Sequence, residues 1–143
     1  MRLFRTPRCI QVFTDGAIRP GQNLSGLAAV VRDEHGQIQH WWSRRANGMS
    51  CNEAEYAAVV LALESLLPLK PSEVQIFSDS QVVVHQMSGI ASARAPALRQ
   101  AQMRVRMLVA RFERVTFHHI PREQNRLADA LANEAADGKE QSE

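Results

Sequence analysis

The chain alternates short β-prone runs with longer stretches of helical spacing. The first strand runs from Cys9 to Thr14. Asp15 to Ser25, with Pro20-Gly21 and Asn23, reads as a loop. Two further strands, Leu24 to Arg32 and Gln37 to Arg44, flank Asp33-Glu34-His35-Gly36, a hairpin turn signal. Trp41 and Trp42 are adjacent in the second of these, so one faces inward and the other outward as an ordinary exposed edge aromatic. Asn47-Gly48 breaks the pattern. Ser50 then stands three residues before Glu53, the spacing of a capping box. It opens a helix over Glu53 to Leu67, which Pro68 stops.

Glu73 to Ser78 reads as a fourth strand. Gln81 to Met87 contains Val82-Val83-Val84, which propensity alone makes a strand. A cap at Asp79-Ser80, and the crossover that parallel strands require, predict a helix instead. Pro96 opens the next helix, in which Leu98, Ala101, Val105, Leu108 and Phe112 form one apolar stripe. Arg114 to Ile120 is a fifth strand, Asn125 to Ala136 a last helix, and Asp137 to Glu143 a frayed acidic tail. The order βββαβααβα, with neither repeats nor a linker, predicts an α/β fold in which helices pack on one mixed sheet. At 143 residues the chain makes a single domain, with its core over about residues 9–136.

Hydrophobic residues make up 45% and charged residues 22%, the balance of an ordinary globular protein. No apolar stretch has the length of a membrane span. Arg2, Arg5 and Arg8 precede no export segment, so an intracellular, cytoplasmic protein without a membrane partner is expected. The net charge of +2 hides an imbalance: of 17 basic residues only Lys70 and Lys139 are lysine. Arg94, Arg99, Arg104, Arg106, Arg111 and Arg114 crowd one segment, with Arg99, Arg104, Arg106 and Arg111 off the apolar stripe. Arginine suits bidentate phosphate contacts, which fits a polyanionic partner and equally a solvated helix face. Cys9 and Cys51 make no disulfide framework, and no Cys/His spacing matches a zinc site.

The candidate chemistry lies where two strands end alike, in Phe13-Thr14-Asp15-Gly16 and Phe77-Ser78-Asp79-Ser80. Alternation puts Asp15 on the face of Phe13 and Asp79 on that of Phe77. If the strands are parallel neighbours, both carboxylates emerge at the edge where open α/β sheets carry their chemistry. Such a pair repels unless a proton or cation sits between the two. For either aspartate alone, helix capping is the plainer alternative. Glu55, in register with Val59, Ala62 and Leu66, and Asp129, near the start of the last helix, also require solvent, a partner or a ligand. On periodicity alone, Glu53 and Glu64 rival Glu55, and Glu134 rivals Asp129.

Asp15-Gly16, Asn52-Glu53-Ala54-Glu55-Tyr56, Asp79-Ser80-Gln81 and Asn125-Arg126-Leu127-Ala128-Asp129, in that order on those elements, resemble type 1 ribonuclease H. Pro121-Arg122-Glu123-Gln124-Asn125 and Ala128-Asp129-Ala130-Leu131-Ala132 resemble its archaeal-like branch. The resemblance runs from about Ile10 to Ala136. It implies a ribonuclease H-like fold, a five-stranded mixed sheet with helices on both faces and strand one between the hairpin and strand four. It also implies an endoribonuclease that hydrolyses the RNA strand of RNA–DNA hybrids, leaving 5′-phosphate and 3′-hydroxyl ends. Asp15, Glu55, Asp79 and Asp129 become the catalytic carboxylates, with Glu55 chosen over Glu53. The implied cofactors are two Mg²⁺ ions, with Mn²⁺ as a substitute. Asp15 would bridge both, Asp129 would serve the ion that activates water, and Glu55 and Asp79 the ion facing the leaving oxygen. Two-metal chemistry of this kind suits an in-line phosphodiester displacement, and hard cations call for oxygen ligands.

His119 matches a mobile histidine that assists proton transfer or product release, a role that imidazole acid–base chemistry suits. Gly16, Asn52 and Gln81 match positions that contact the duplex, and Ser50 a hydroxyl residue that binds a DNA-strand phosphate. Asn125 is placed with these as substrate-binding. Cys51 departs from the pattern, because the family usually has asparagine there and a thiol replaces its donor and acceptor poorly. Eight residues precede strand one, so no separate hybrid-binding domain is expected. The segment from Met87 to Arg114 is too short for a basic protrusion, leaving Arg94 and the arginines of the Pro96 helix to take its place. The expected partner is an RNA–DNA hybrid, met by a monomer with no protein partner evident. The alternative is a catalytically silent nucleic-acid-binding module on the same fold. Four clustered acids beside a phosphate argue against it.

Overall fold

Cys9–Arg19 form one long strand, β1, against which both halves of the sheet are built. The computed structural model describes residues 9–138. The first eight residues, with Arg2, Arg5 and Arg8, and the last five of the expected tail lie outside the described residues. After β1 come β2 (Leu24–Arg32), β3 (Ile38–Asn47), helix α1 (Cys51–Leu66), β4 (Glu73–Ser78), α2 (Gln81–Met87), α3 (Pro96–Val109), β5 (Val115–His119) and α4 (Arg126–Ala136). The strands lie in the order β3-β2-β1-β4-β5. β1, β4 and β5 run parallel, whereas β2 and β3 are antiparallel to their neighbours. The expected mixed sheet, with β1 between the hairpin and β4, is therefore present.

Three local readings need correction. β1 does not end at Thr14, and residues 15–19 are not loop. β2 pairs with β1 as far as Arg19↔Leu24, so the ladder carries the chain past Asp15. Only four residues remain as the connection, where Pro20–Gln22 form a 3₁₀ turn and Asn23 takes a left-handed φ of 54°. β3 extends to Asn47 because β2 pairs with it to that point. Neither tryptophan is an exposed edge aromatic. Both are half-buried, Trp41 against Ala128 and Leu131 of α4 and Trp42 against the cluster beneath α1. β3 remains an exposed edge strand along most of its length, but the middle of it, at Trp41 and Trp42, is packed against the clusters on the two faces of the sheet.

Tyr56, Val59, Ala62, Leu63 and Leu66 of α1 pack on Ile10, Val12, Val74 and Ile76 on one face of the sheet. α3 lies on α1, with Val105 at its buried centre. On the other face Ala128, Leu131 and Ala132 of α4 meet Ala28 and Val30 of β2. Gly26 permits this approach, since a Cβ there would lie 1.9 Å from the Ala132 carbonyl oxygen. Arg19 pairs with Asp137 at 2.9 Å, so the first residue of the expected tail is tied to the sheet. Cys9 and Cys51 are free and exposed. Among the described residues, no helix is long and apolar enough to cross a membrane.

Candidate active site

The parallel pairing of β1 with β4 ends at Thr14↔Ser78, so Asp15 and Asp79 occupy the next step on each chain. One step inside, Phe13 and Phe77 stack with centroids 4.9 Å apart, and Phe77 stacks in turn on His118. This ring ladder holds three strands in register behind the two carboxylates. Beyond Ser78, β4 offers β1 no further acceptor, and the Gly16 N–H donates instead to Glu55 Oε1 at 2.9 Å. That contact requires α1 to lie directly on β1. A Cβ on Gly16 would sit 2.5 Å from the Ala54 carbonyl carbon, so only glycine admits the helix.

Asp15, Glu55 and Asp79 each bring a carboxylate oxygen within 4.8 Å of the other two. Asp129 is not one of that group, yet its carboxylate lies within hydrogen-bonding reach of Asp15. The Asn133 amide holds it, donating to the Asp129 carbonyl at 2.8 Å and to Oδ1 at 3.3 Å. The structure thus separates Glu55 from its two rivals on α1. Glu53 closes the capping box by accepting from the Ser50 N–H at 2.9 Å, and Glu64 pairs with Arg104.

Burial pushes the Asp15 carboxyl far above the usual carboxylate range, and the negative charges of Glu55 and Asp79 push it the same way. Glu55 is raised by burial and by Asp79, against the Gly16 N–H and the Arg122 guanidinium, which favour its ionised form. Asp79 is also raised by burial, with Arg122 opposing. Carboxylates held this close ionise together only when positive charge joins them. An all-oxygen donor set of this kind fits a hard divalent cation such as Mg²⁺ or Mn²⁺.

The remaining predicted residues are spread around this centre. Ser50 is exposed at the N-cap of α1, where its Oγ accepts from the Glu53 N–H and its own O–H stays free to donate. Asn52, half-buried, follows in the first turn of α1. Gln81 is exposed at the start of α2, which Ser80 caps by accepting from the Val83 N–H at 3.2 Å. His119 is exposed at the carboxyl end of β5, beside Ser78, while His118 turns to the opposite face. Asn125 is a correction: it is 2% exposed, and its amide donates to the Thr14 carbonyl at 2.9 Å, so its side chain is not displayed to a substrate. Arg122 was not singled out from the sequence. Its Nε lies 4.0 Å from Asp79 Oδ2 with the side chain 85% exposed, and a lone arginine in a surface turn carries no sequence signal of that contact.

A mixed sheet that gathers carboxylates at the edge of its parallel pair, flanked by capped helices, defines a class of proteins built for divalent-cation chemistry. The family model described as "Reverse transcriptase-like" matches residues 13–135. Ribonuclease HI of Halobacterium salinarum is 32% identical over 128 residues, or 90% of this chain. The crystal structure of RNase H1 from that organism superposes with a TM-score of 0.84 at 32% identity, covering 91% of this chain and 98% of that one. The N-terminal RNase H domain of Rv2228c from Mycobacterium tuberculosis gives a TM-score of 0.85 at 28% identity, covering 92% and 96%. LC11-RNase H1, solved in complex with an RNA/DNA hybrid, gives 0.83 at 33% identity, covering 90% and 97%. The chain belongs to the type 1 ribonuclease H family. It spans 64% of the length of the Halobacterium protein and 37% of the bifunctional Mycobacterium protein.

Proposed function

We propose that the chain is an endoribonuclease that hydrolyses the RNA strand of RNA–DNA hybrids, leaving 5′-phosphate and 3′-hydroxyl ends. The observation that carries this reading is the convergence of Asp15, Glu55 and Asp79 within 4.8 Å, with Asp129 alongside Asp15. The hybrid bound to LC11-RNase H1 points to the substrate class. Asp15, Glu55, Asp79 and Asp129 would hold two Mg²⁺ ions, with Mn²⁺ as a substitute. Bound there, the metal offsets charge on the attacking water and the departing 3′-oxygen of an in-line displacement.

The chain's own groups do the rest. The carboxylates keep fixed positions, Asp15 within β1, Asp79 just after β4, and Glu55 and Asp129 near the starts of α1 and α4. His119, exposed beside Ser78, accepts and returns a proton near the reacting phosphate. The free Ser50 hydroxyl binds a phosphate of the DNA strand. Gly16, Asn52 and Gln81 meet the duplex where ribose 2′-hydroxyls distinguish RNA from DNA. Arg94, Arg99, Arg106 and Arg111, all exposed, add phosphate contacts whose strength falls with salt. Residues 9–136 make one catalytic domain that acts as a cytoplasmic monomer. Its single sheet, with no linker among the described residues, supports the single domain.

Incubation of the protein with an end-labelled hybrid tests the reading. Cleavage of the RNA strand with Mg²⁺, abolished by chelator, is expected. Tight hybrid binding with no cleavage under either metal would favour the silent binding module.

A further inference from the structure

Asn125 is buried to 2% exposure just before α4, and its contacts reach every element that carries an acid except α1. Its Nδ2 donates to the Thr14 carbonyl at 2.9 Å, the peptide that leads into Asp15. The same side chain lies by the Asp79 carboxylate and favours its ionised form. Its main-chain carbonyl accepts from the Asp129 N–H at 3.0 Å. Its Oδ1, by contrast, is buried without a protein partner. A buried unpaired acceptor costs about 1–3 kcal/mol, and an apolar side chain of similar size would escape that cost. Packing therefore does not explain an asparagine here, whereas its two N–H donors do. One meets β1 at Thr14, where β4 has left the sheet and can no longer supply a ladder donor, and the amide favours the ionised Asp79 just beyond β4.

We propose that Asn125 is a positioning residue that sets the spacing of Asp15, Asp79 and Asp129 by clamping β1 at Thr14 and the end of β4 to the start of α4. The proposal rests on the hydrolytic reading above and replaces the substrate contact expected of this residue. The clamp acts through the carboxylates it orients, so its loss loosens the cation site before it affects the grip on the duplex.

The test uses Asn125→Ala and the near-isosteric Asn125→Asp, which removes both donors while keeping the shape. Calorimetric Mn²⁺ binding without nucleic acid is the first readout. Steady-state cleavage of a hybrid is the second, and the melting temperature in chelator the third. Groups that orient metal ligands typically contribute 10–100-fold to affinity or activity. Mn²⁺ affinity and kcat are both expected to fall in that range, with KM for the hybrid changing less than about twofold. A raised KM with kcat and Mn²⁺ affinity unchanged would mean that Asn125 touches substrate. No change in any of these in a folded variant would reduce it to filler. Either result overturns the proposal.

If both variants fail to fold, the wild-type protein decides by NMR. Both Asn125 side-chain amide protons should be protected from exchange, and Asp79→Asn should shift one of them. Two freely exchanging protons would refute the clamp. Should the wild-type protein bind Mn²⁺ but cleave no hybrid, the hydrolytic reading fails while the Mn²⁺ and NMR results still judge Asn125.

Discussion

β1 and β4 bring nearly the same four residues to the active edge, Phe-Thr-Asp-Gly and Phe-Ser-Asp-Ser, with Phe13 opposite Phe77. Their surroundings then diverge. β1 continues beyond its aspartate to Arg19, so Asp15 has strand neighbours on both sides along the chain and is only 4% exposed. β4 stops at Ser78, and Asp79 sits at the head of a turn, faced by Arg122 and Asn125. The following residues differ for the same reason. Gly16 is a gap that α1 fills, whereas Ser80 is a cap on which α2 starts. One local motif thus yields a rigid carboxylate crowded by other acids and a second one at a loop, eased by a cation. A short motif specifies a chemical group and a face, and its neighbours specify the group's electrostatics.

The largest effects break the chemistry at either strand. Asp15→Asn or Asp79→Asn should cut hybrid cleavage at least about a thousandfold, roughly 4 kcal/mol of transition-state stabilisation. Wild-type turnover by either variant, measured in Mg²⁺, would remove that residue from the site. The two should differ in stability. Without metal, Asp15→Asn should raise the melting temperature at pH 8 by a few degrees, about 1 kcal/mol or more, because it relieves the more crowded carboxylate. Asp79→Asn should gain less, since Arg122 already offsets its charge. Calorimetry in chelator would reverse the comparison if Asp79→Asn gained more.

Next come the residues that follow the aspartates. Gly16→Ala drives a methyl into the Ala54 backbone and should cost about 1–3 kcal/mol of stability. It should also displace Glu55 and lower kcat. Ser80→Ala removes only a cap and should cost about 1 kcal/mol, with little change in kcat. Chemical denaturation of the two variants ranks them, and equal losses would deny that α1 depends on a close approach at Gly16.

The pH dependence of the metal-free protein sharpens the contrast. Asp15, Glu55 and Asp79 are all raised, so the folded state holds more protons than the unfolded chain above the ordinary carboxylate range. Stability should therefore fall as pH rises from about 4 towards the alkaline side. Asp15→Asn should flatten that fall more than Asp79→Asn does, and Mg²⁺ should abolish it. A melting temperature that rises over the same range would contradict the crowding of these acids. The smallest effect belongs to Arg122→Ala. A pair of this length with an exposed arginine contributes about 0.5 kcal/mol or less, and the melting temperature should shift by no more than about two degrees.

Much of this protein could be read before folding. The limits of β4, the Ser50–Glu53 capping box and the paired aspartates follow from local periodicity and capping chemistry, and α2 from a cap together with the crossover that parallel strands require. The end of β1 could not be read. Asp15 to Arg19 carry a turn-like composition, and only the long partner β2 keeps them extended. The covering of both tryptophans had the same origin, because which face of β3 meets a helix depends on where α4 docks. Gly26 carries no local signal of the α4 backbone that packs on it.

The residues themselves determined the order of elements, the types of chemical group and the faces they share, since alternation, capping and helical spacing act over a few neighbouring positions. Tertiary structure alone decided which acids meet, how strongly each resists ionisation, and that Asn125 and Arg122 stand beside them. Burial and through-space charge depend on the distances between segments that lie far apart along the chain.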